Sequence, residues 1–246
     1  LKTLILDLET SPMVVHTWGL YDQNVGLPQI VEDTRVIAVA AKWLGSSKMI
    51  WLSEDKMSHL EMIQKAHALV SEADIIVTFN GKNFDMKHLR REFVQAYLPP
   101  PEPWVDVDLL PEVKKLYRFP SNKLAYVTDR LGLSGKMKNS GHELWVRCLA
   151  GDPKAWAEMK RYALQDVRVT EELFIRIRSY IPGLPLASLY GMDGAPLECI
   201  CGSTHFQRRG YYYTEQSVYP KFQCQGCFRW LRGTRRDRGS TLKGVK

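Results

Sequence analysis

Apolar positions along this chain fall into two patterns. Unbroken runs at residues 3–8, 35–43 and 74–78 are rich in Leu, Ile, Val and Ala and predict buried strands. Gly45-Ser46-Ser47 separates the second run from a further strand, Lys48 to Leu52, which predicts a hairpin. The stretch between the first two strands holds Pro12, Gly19, Gly26 and Pro28 and reads as a loop. Elsewhere the spacing is helical. Leu60, Ile63, Ala66, His67 and Val70 mark a helix within 56–72, and Leu89 and Phe93 share one face of another from Phe84 to Tyr97. Pro99-Pro100-Pro101 stops the second. A short strand follows from Val105 to Leu109, then candidate helices from Lys123 to Leu131 and from His142 to Leu149. Pro153 suits the first position of a long helix that runs to about Ser179.

This order, a hairpin-linked trio of strands followed by crossovers and then helices, predicts an α/β domain with a mixed sheet flanked by helices. Proline and glycine crowd residues 183–196, which read as a linker between a body at 1–182 and a small β-rich module at 197–234. Residues 235–246 form a basic tail. Charge sharpens this division. Residues 195–246 hold ten basic and three acidic side chains, so the net charge of +7 lies in that one stretch and the rest is neutral. A basic module on a neutral body points to a polyanionic partner, most simply nucleic acid. A solubilising tail is the alternative for the last ten residues. The chain has 45% apolar and 25% charged residues, which excludes wholesale disorder. It has no apolar run long enough for a membrane span, Leu1 to Asp7 reads as a core strand rather than a secretory signal, and the expected compartment is the cytoplasm.

Three acidic motifs stand out. Asp7-Leu8-Glu9 puts two carboxylates on one face of a strand, a repulsive pair that a cation relieves. Asn80-Gly81-Lys82-Asn83-Phe84-Asp85 runs from a strand end into a helix, where Asp85 is either a site carboxylate or a helix cap. Tyr162 and Asp166 lie one turn apart on the long helix, as a site pair or a plain hydrogen bond. Asp106 and Asp108 alternate in their short strand and either reach the site or line a solvated edge. Asp129 is expected at the surface, and His59, His67 and His88 as solvated or core helix residues. Gly132 to Lys136 lacks the spacing and the Ser/Thr of a phosphate loop, which argues against nucleotide hydrolysis.

Taken in order, Asp-x-Glu, Asn-Gly-x-Asn-Phe-Asp and Tyr-x-x-x-Asp resemble the motifs of the four-carboxylate (DEDD) 3′→5′ exonuclease superfamily. Its members include polymerase proofreading domains and RNase D. The position five residues before Asp166 is Arg161 rather than His, so the tyrosine subclass fits. The resemblance covers roughly residues 1–180 and implies an RNase H-like fold. It further implies that Asp7, Glu9, Asp85 and Asp166 hold two Mg²⁺ or Mn²⁺ ions, with Tyr162 orienting the attacking water. Leu8 and Thr10 are implied substrate contacts, and Asn80 either approaches the terminal nucleotide or supports Asp85. The expected substrate is a nucleic-acid 3′ end, with single-stranded DNA favoured over RNA, and a replication or repair protein is a possible partner. An RNase H-like endonuclease or resolvase, and a non-catalytic nucleic-acid-binding protein, are the alternatives.

The cysteines add a second site. Cys199-x-Cys201 and Cys224-x-x-Cys227 flank two predicted strands, Tyr211 to Thr214 and Val218 to Gln223. Two thiol pairs so placed predict one tetrahedral zinc, and the segment resembles a zinc ribbon. The first knuckle is one residue short, which leaves His205 open as a substitute ligand. Arg208, Arg209, Tyr212, Arg229 and Trp230 are candidates for stacking bases and neutralising phosphates. A small core built from the alternate aromatics is the competing account.

Overall fold

The computed structural model describes residues 1–135, 137, 140–191 and 194–241. Lys136, two residues of the expected linker (192 and 193) and the end of the expected basic tail (242–246) lie outside the described residues. The chain divides into two compact units, Lys2–Ile175 and Arg176–Lys246, the latter joined by Leu1.

In chain order the elements are β1 (Thr3–Thr10), β2 (Val14–Val15), β3 (Ile30–Glu32), β4 (Val36–Trp43), β5 (Met49–Ser53), α1 (His59–Ser71), β6 (Ile75–Thr78), α2 (Asp85–Gln95) and β7 (Val105–Asp108). Helices α3 (Leu109–Leu116), α4 (Leu124–Arg130), α5 (His142–Leu149) and α6 (Pro153–Ile177) follow. The last strands are β8 (Phe206–Tyr213), β9 (Ser217–Cys224), β10 (Trp230–Arg232) and β11 (Arg238–Gly239). The stretch expected as a plain loop after β1 contains the small β2–β3 pair. Its two strands have only two and three residues, too few for alternation to announce them.

The first unit is built on a five-stranded mixed sheet in the order β5-β4-β1-β6-β7. β1 is central, antiparallel to β4 and parallel to β6. On one face Leu4, Leu6 and Leu8 pack with Met62, Ile63 and Leu89 of α1 and α2. On the other, Ile37 and Ala38 of β4 pack with Leu144, Ala155 and Met159 of α5 and α6. Side chains start three of the helices. Ser58 accepts the Glu61 N–H at α1, Asp108 accepts the Leu110 N–H at α3, and Asp152 accepts that of Lys154 at α6.

An ionic network ties α2 to the start of β4. Glu92 is 3% exposed and accepts from the Val36 N–H, from Arg91 and from His59. Burial works against its charge, but these donors outweigh it and hold the carboxyl down at about 2. His59 also meets Glu54, and the two carboxylates raise its imidazolium to about 9. His59 is thus an ion-pair bridge rather than a solvated or core residue.

The second unit carries a four-stranded sheet in which β9 pairs with β8, β10 and β11. Its buried side chains include Ile177, Ile181, Leu184 and Ile200 with the thiols of Cys199 and Cys224.

Candidate nuclease centre and cysteine cluster

Alternation along β1 puts Asp7 and Glu9 on one face, opposite Ala40 and Ala38 of β4. Those small neighbours let α5 and α6 approach this face. Glu9 is 7% exposed and Asp7 half-buried. Leu8 faces the other way into the core, so it offers the site its backbone and not its side chain. Thr10 sits half-buried beyond an irregularity in the β1–β4 register.

The β6–α2 connection is closely fitted. Asn80 has φ of +72°, a left-handed conformation that asparagine tolerates better than most residues. A Cβ on Gly81 would lie 2.2 Å from Thr78 Oγ1, so only glycine fits. Asp108 holds the connection in place by accepting the N–H groups of Asn80 at 2.7 Å and Lys82 at 3.1 Å. Of the two readings for the alternating aspartates, Asp108 is therefore a buried organiser of this loop. Asp106 is half-buried, its carboxyl raised by burial, and its Oδ1 has no hydrogen-bond partner among the described residues.

Asp85 begins α2, but Phe84 occupies the cap position. The Asp85 carboxylate instead accepts the Leu8 N–H of β1 at 2.9 Å, which rules out a simple cap. Burial pushes this carboxyl up to about 7; the nearby Asp108 charge adds to the shift, and backbone N–H groups, Leu8's among them, oppose it. A carboxyl so placed gains from a cation. α6 supplies Asp166, which is 4% exposed, and Tyr162, whose ring meets Trp145 edge-on at 6.4 Å.

Asp7, Asn80 and Asp166 line one cleft of about 620 Å³. Among the described residues Glu9, Asp85 and Tyr162 are not part of its lining. Lys114, Asn122 and Lys123 are, and no sequence motif announced them. The Asn122 Oδ1 is buried without a hydrogen-bond partner among the described residues. All-oxygen donors such as these carboxylates suit Mg²⁺ or Mn²⁺. Among the described residues no three of these carboxylates form a metal-sized gathering of ligand atoms.

The four thiols do crowd one point. Cys199, Cys201, Cys224 and Cys227 bring their sulfurs within 4.8 Å of one another, the one such gathering of His, Cys, Asp or Glu ligand atoms among the described residues. His205 is exposed and stands outside it. The short first knuckle closes through Gly202, whose φ of +87° lets its N–H reach the Cys199 carbonyl at 2.8 Å. Gly226 is forced by crowding, since a Cβ there would lie 2.7 Å from Ser203 Cβ. Burial raises the Cys199 thiol to about 12. At Cys224 burial also acts upward, but the Cys227 and Gly226 N–H groups prevail and bring the thiol down to about 7. An S₄ donor set of this kind fits zinc.

The sequence model of the RNase H superfamily matches residues 32–178. Among solved structures, the chain is similar to the family B DNA polymerase from the hyperthermophilic archaeon Pyrobaculum calidifontis, with a TM-score of 0.56 and 18% identity. That match covers 73% of this chain and 25% of the polymerase, so the likeness is one of fold over a quarter of the larger protein. No curated protein matches the sequence. Among the described residues no helix is long and apolar enough to cross a membrane.

Proposed function

The chain belongs to the RNase H superfamily, and on that footing we propose that it is a metal-dependent 3′→5′ exonuclease acting on nucleic-acid ends, single-stranded DNA before RNA. The observation that carries this reading is the cleft where Asp7, Asn80 and Asp166 meet, with Asp85 tied to the backbone of the strand that bears Asp7. Similarity in fold to a DNA polymerase weighs toward a DNA substrate.

Asp7, Glu9, Asp85 and Asp166 would hold two divalent ions, which when bound supply an activated water and stabilise the leaving oxygen. Tyr162, one helical turn before Asp166, would orient the attacking water. One P–O bond forms to the water oxygen, the bond to the 3′ oxygen breaks, and that oxygen leaves with a proton. Lys114 and Lys123 neutralise phosphates of the strand in the cleft, and Asn80 contacts the terminal nucleotide.

The test uses 5′-labelled linear DNA and RNA oligonucleotides with Mn²⁺ or Mg²⁺, beside an Asp7→Ala control. A product ladder that shortens from the 3′ end, absent in the control, is the expected result. Circular single-stranded DNA stays intact. Cutting of the circle would replace this reading with an endonuclease, and intact linear substrates under every condition would remove catalysis altogether.

A further inference from the structure

The second unit contains a cleft of about 520 Å³ that the catalytic reading does not use. Sites for small ligands span about 300–1,000 Å³. Its lining comprises residues 179–183, Tyr212 near the end of β8, Lys221 of β9, and Arg229 with the three residues of β10. Lys221, Arg229 and Arg232 bring three cations to its wall, and the described lining includes no carboxylate. Tyr212 and Trp230 add aromatic surface, 47% and 53% exposed.

Arg229 distinguishes this cleft from a merely basic patch. Its residue is only 6% exposed. One guanidinium nitrogen donates to the Leu184 carbonyl at 2.5 Å, while Nη1 is buried with no hydrogen-bond partner among the described residues. A desolvated guanidinium donor without a partner is costly, and an oxyanion relieves that cost best. The neighbouring cations are already fixed against rings, with Lys221 Nζ 4.9 Å from the centre of Trp230 and Arg232 4.2 Å from that of Tyr219. A preset ring beside preset cations matches a flat base that carries a phosphate.

We propose that this cleft binds one nucleotide unit, its phosphate held by Arg229, Arg232 and Lys221 and its base stacked on Trp230. Arg208 and Arg209, on exposed stretches of β8, are not part of the cleft lining. The same chemistry is offered by a unit within a strand and by a free nucleoside monophosphate.

Fluorescence anisotropy of a 5′-fluorescein oligothymidylate tests this, with the full zinc-loaded chain and no Mg²⁺ or Mn²⁺ added. Binding is then read apart from cleavage, so a failed nuclease assay leaves the result standing. Trp230→Ala is expected to weaken binding about tenfold. The Lys221→Gln/Arg232→Gln pair is expected to flatten the slope of log affinity against log salt by about 1.4. Both variants change exposed or half-buried residues, and a retained zinc equivalent checks their fold. Wild-type affinity and salt slope in both would overturn the proposal. Competition names the source: displacement by thymidine 5′-monophosphate points to free nucleotide, and displacement by unlabelled oligonucleotide alone points to a strand.

Discussion

The two units hold reactive groups in opposite ways. In Lys2–Ile175 a continuous core of Leu, Ile, Val and Met comes first, and the carboxylates are attached to its central strand (Asp7, Glu9) and to two of its helices (Asp85, Asp166). In the ribbon, among the described residues of 197–241, the buried side chains are Cys199, Ile200, Cys224 and Arg229. There the thiols are the core. Side chains that would bind metal are additions to one scaffold and the substance of the other, so loss of metal should have different consequences in each.

The largest effect expected from that contrast follows zinc removal. Structural zinc contributes about 10–16 kcal/mol to the folding of small modules. Chelation should unfold the sheet of β8–β11 while Lys2–Ile175 keeps its melting temperature, as read by circular dichroism and limited proteolysis. A shared transition for both units would break the comparison. Asp7→Asn should do the reverse, leaving the melting curve in place. Its 3′-end cleavage should fall by more than about 100-fold, since even outer-shell partners of metal ligands cost about 10- to 100-fold. A variant that cuts normally would remove Asp7 from the centre.

Gly81→Ala lies between these extremes, because it strikes the scaffold where it supports the site. The clash with Thr78 should cost about 1–3 kcal/mol in urea unfolding, and cleavage should fall with it. Thr78→Ala added to Gly81→Ala should recover part of the loss, and strict additivity would count against the clash. The smallest effect is on pH dependence. His59 has a folded value raised to about 9 against an ordinary 6.5. Its contribution is full below about pH 6.5 and is lost as pH rises through about 9. Glu92 is held at about 2, so its contribution is present above about pH 4.5 and lost as pH falls through about 2. His59→Gln should flatten the alkaline side of a plot of urea midpoint against pH; an unchanged slope there would remove His59 from this role.

Much of this was legible because it is local. A two-residue spacing in β1 and a four-residue spacing in α6 fix which side chains share a face before any tertiary contact is known. The thiol pairs are equally local, and the strands of the main sheet announce themselves through runs of Ile, Val and Leu. What stayed hidden joins distant segments. Asp108 reaches Asn80 across 28 residues, and His59 reaches Glu92 across 33. Lys114 and Lys123 meet Asp7 in the cleft only because α3 and the start of α4 fold back over it. The inward turn of Leu8 was readable from alternation alone, although the family resemblance drew attention to it as a substrate contact.

The bond between Asp85 and Leu8 spans 77 positions, and Asp166 joins Asp7 in the cleft from the far end of the same unit. During synthesis, the N-terminal carboxylates are made first and their last partner much later. On the four-carboxylate reading, a growing chain still short of α6 has only a fragment of the catalytic set. Truncations ending before Asp166 should therefore be inert, even where the sheet has formed.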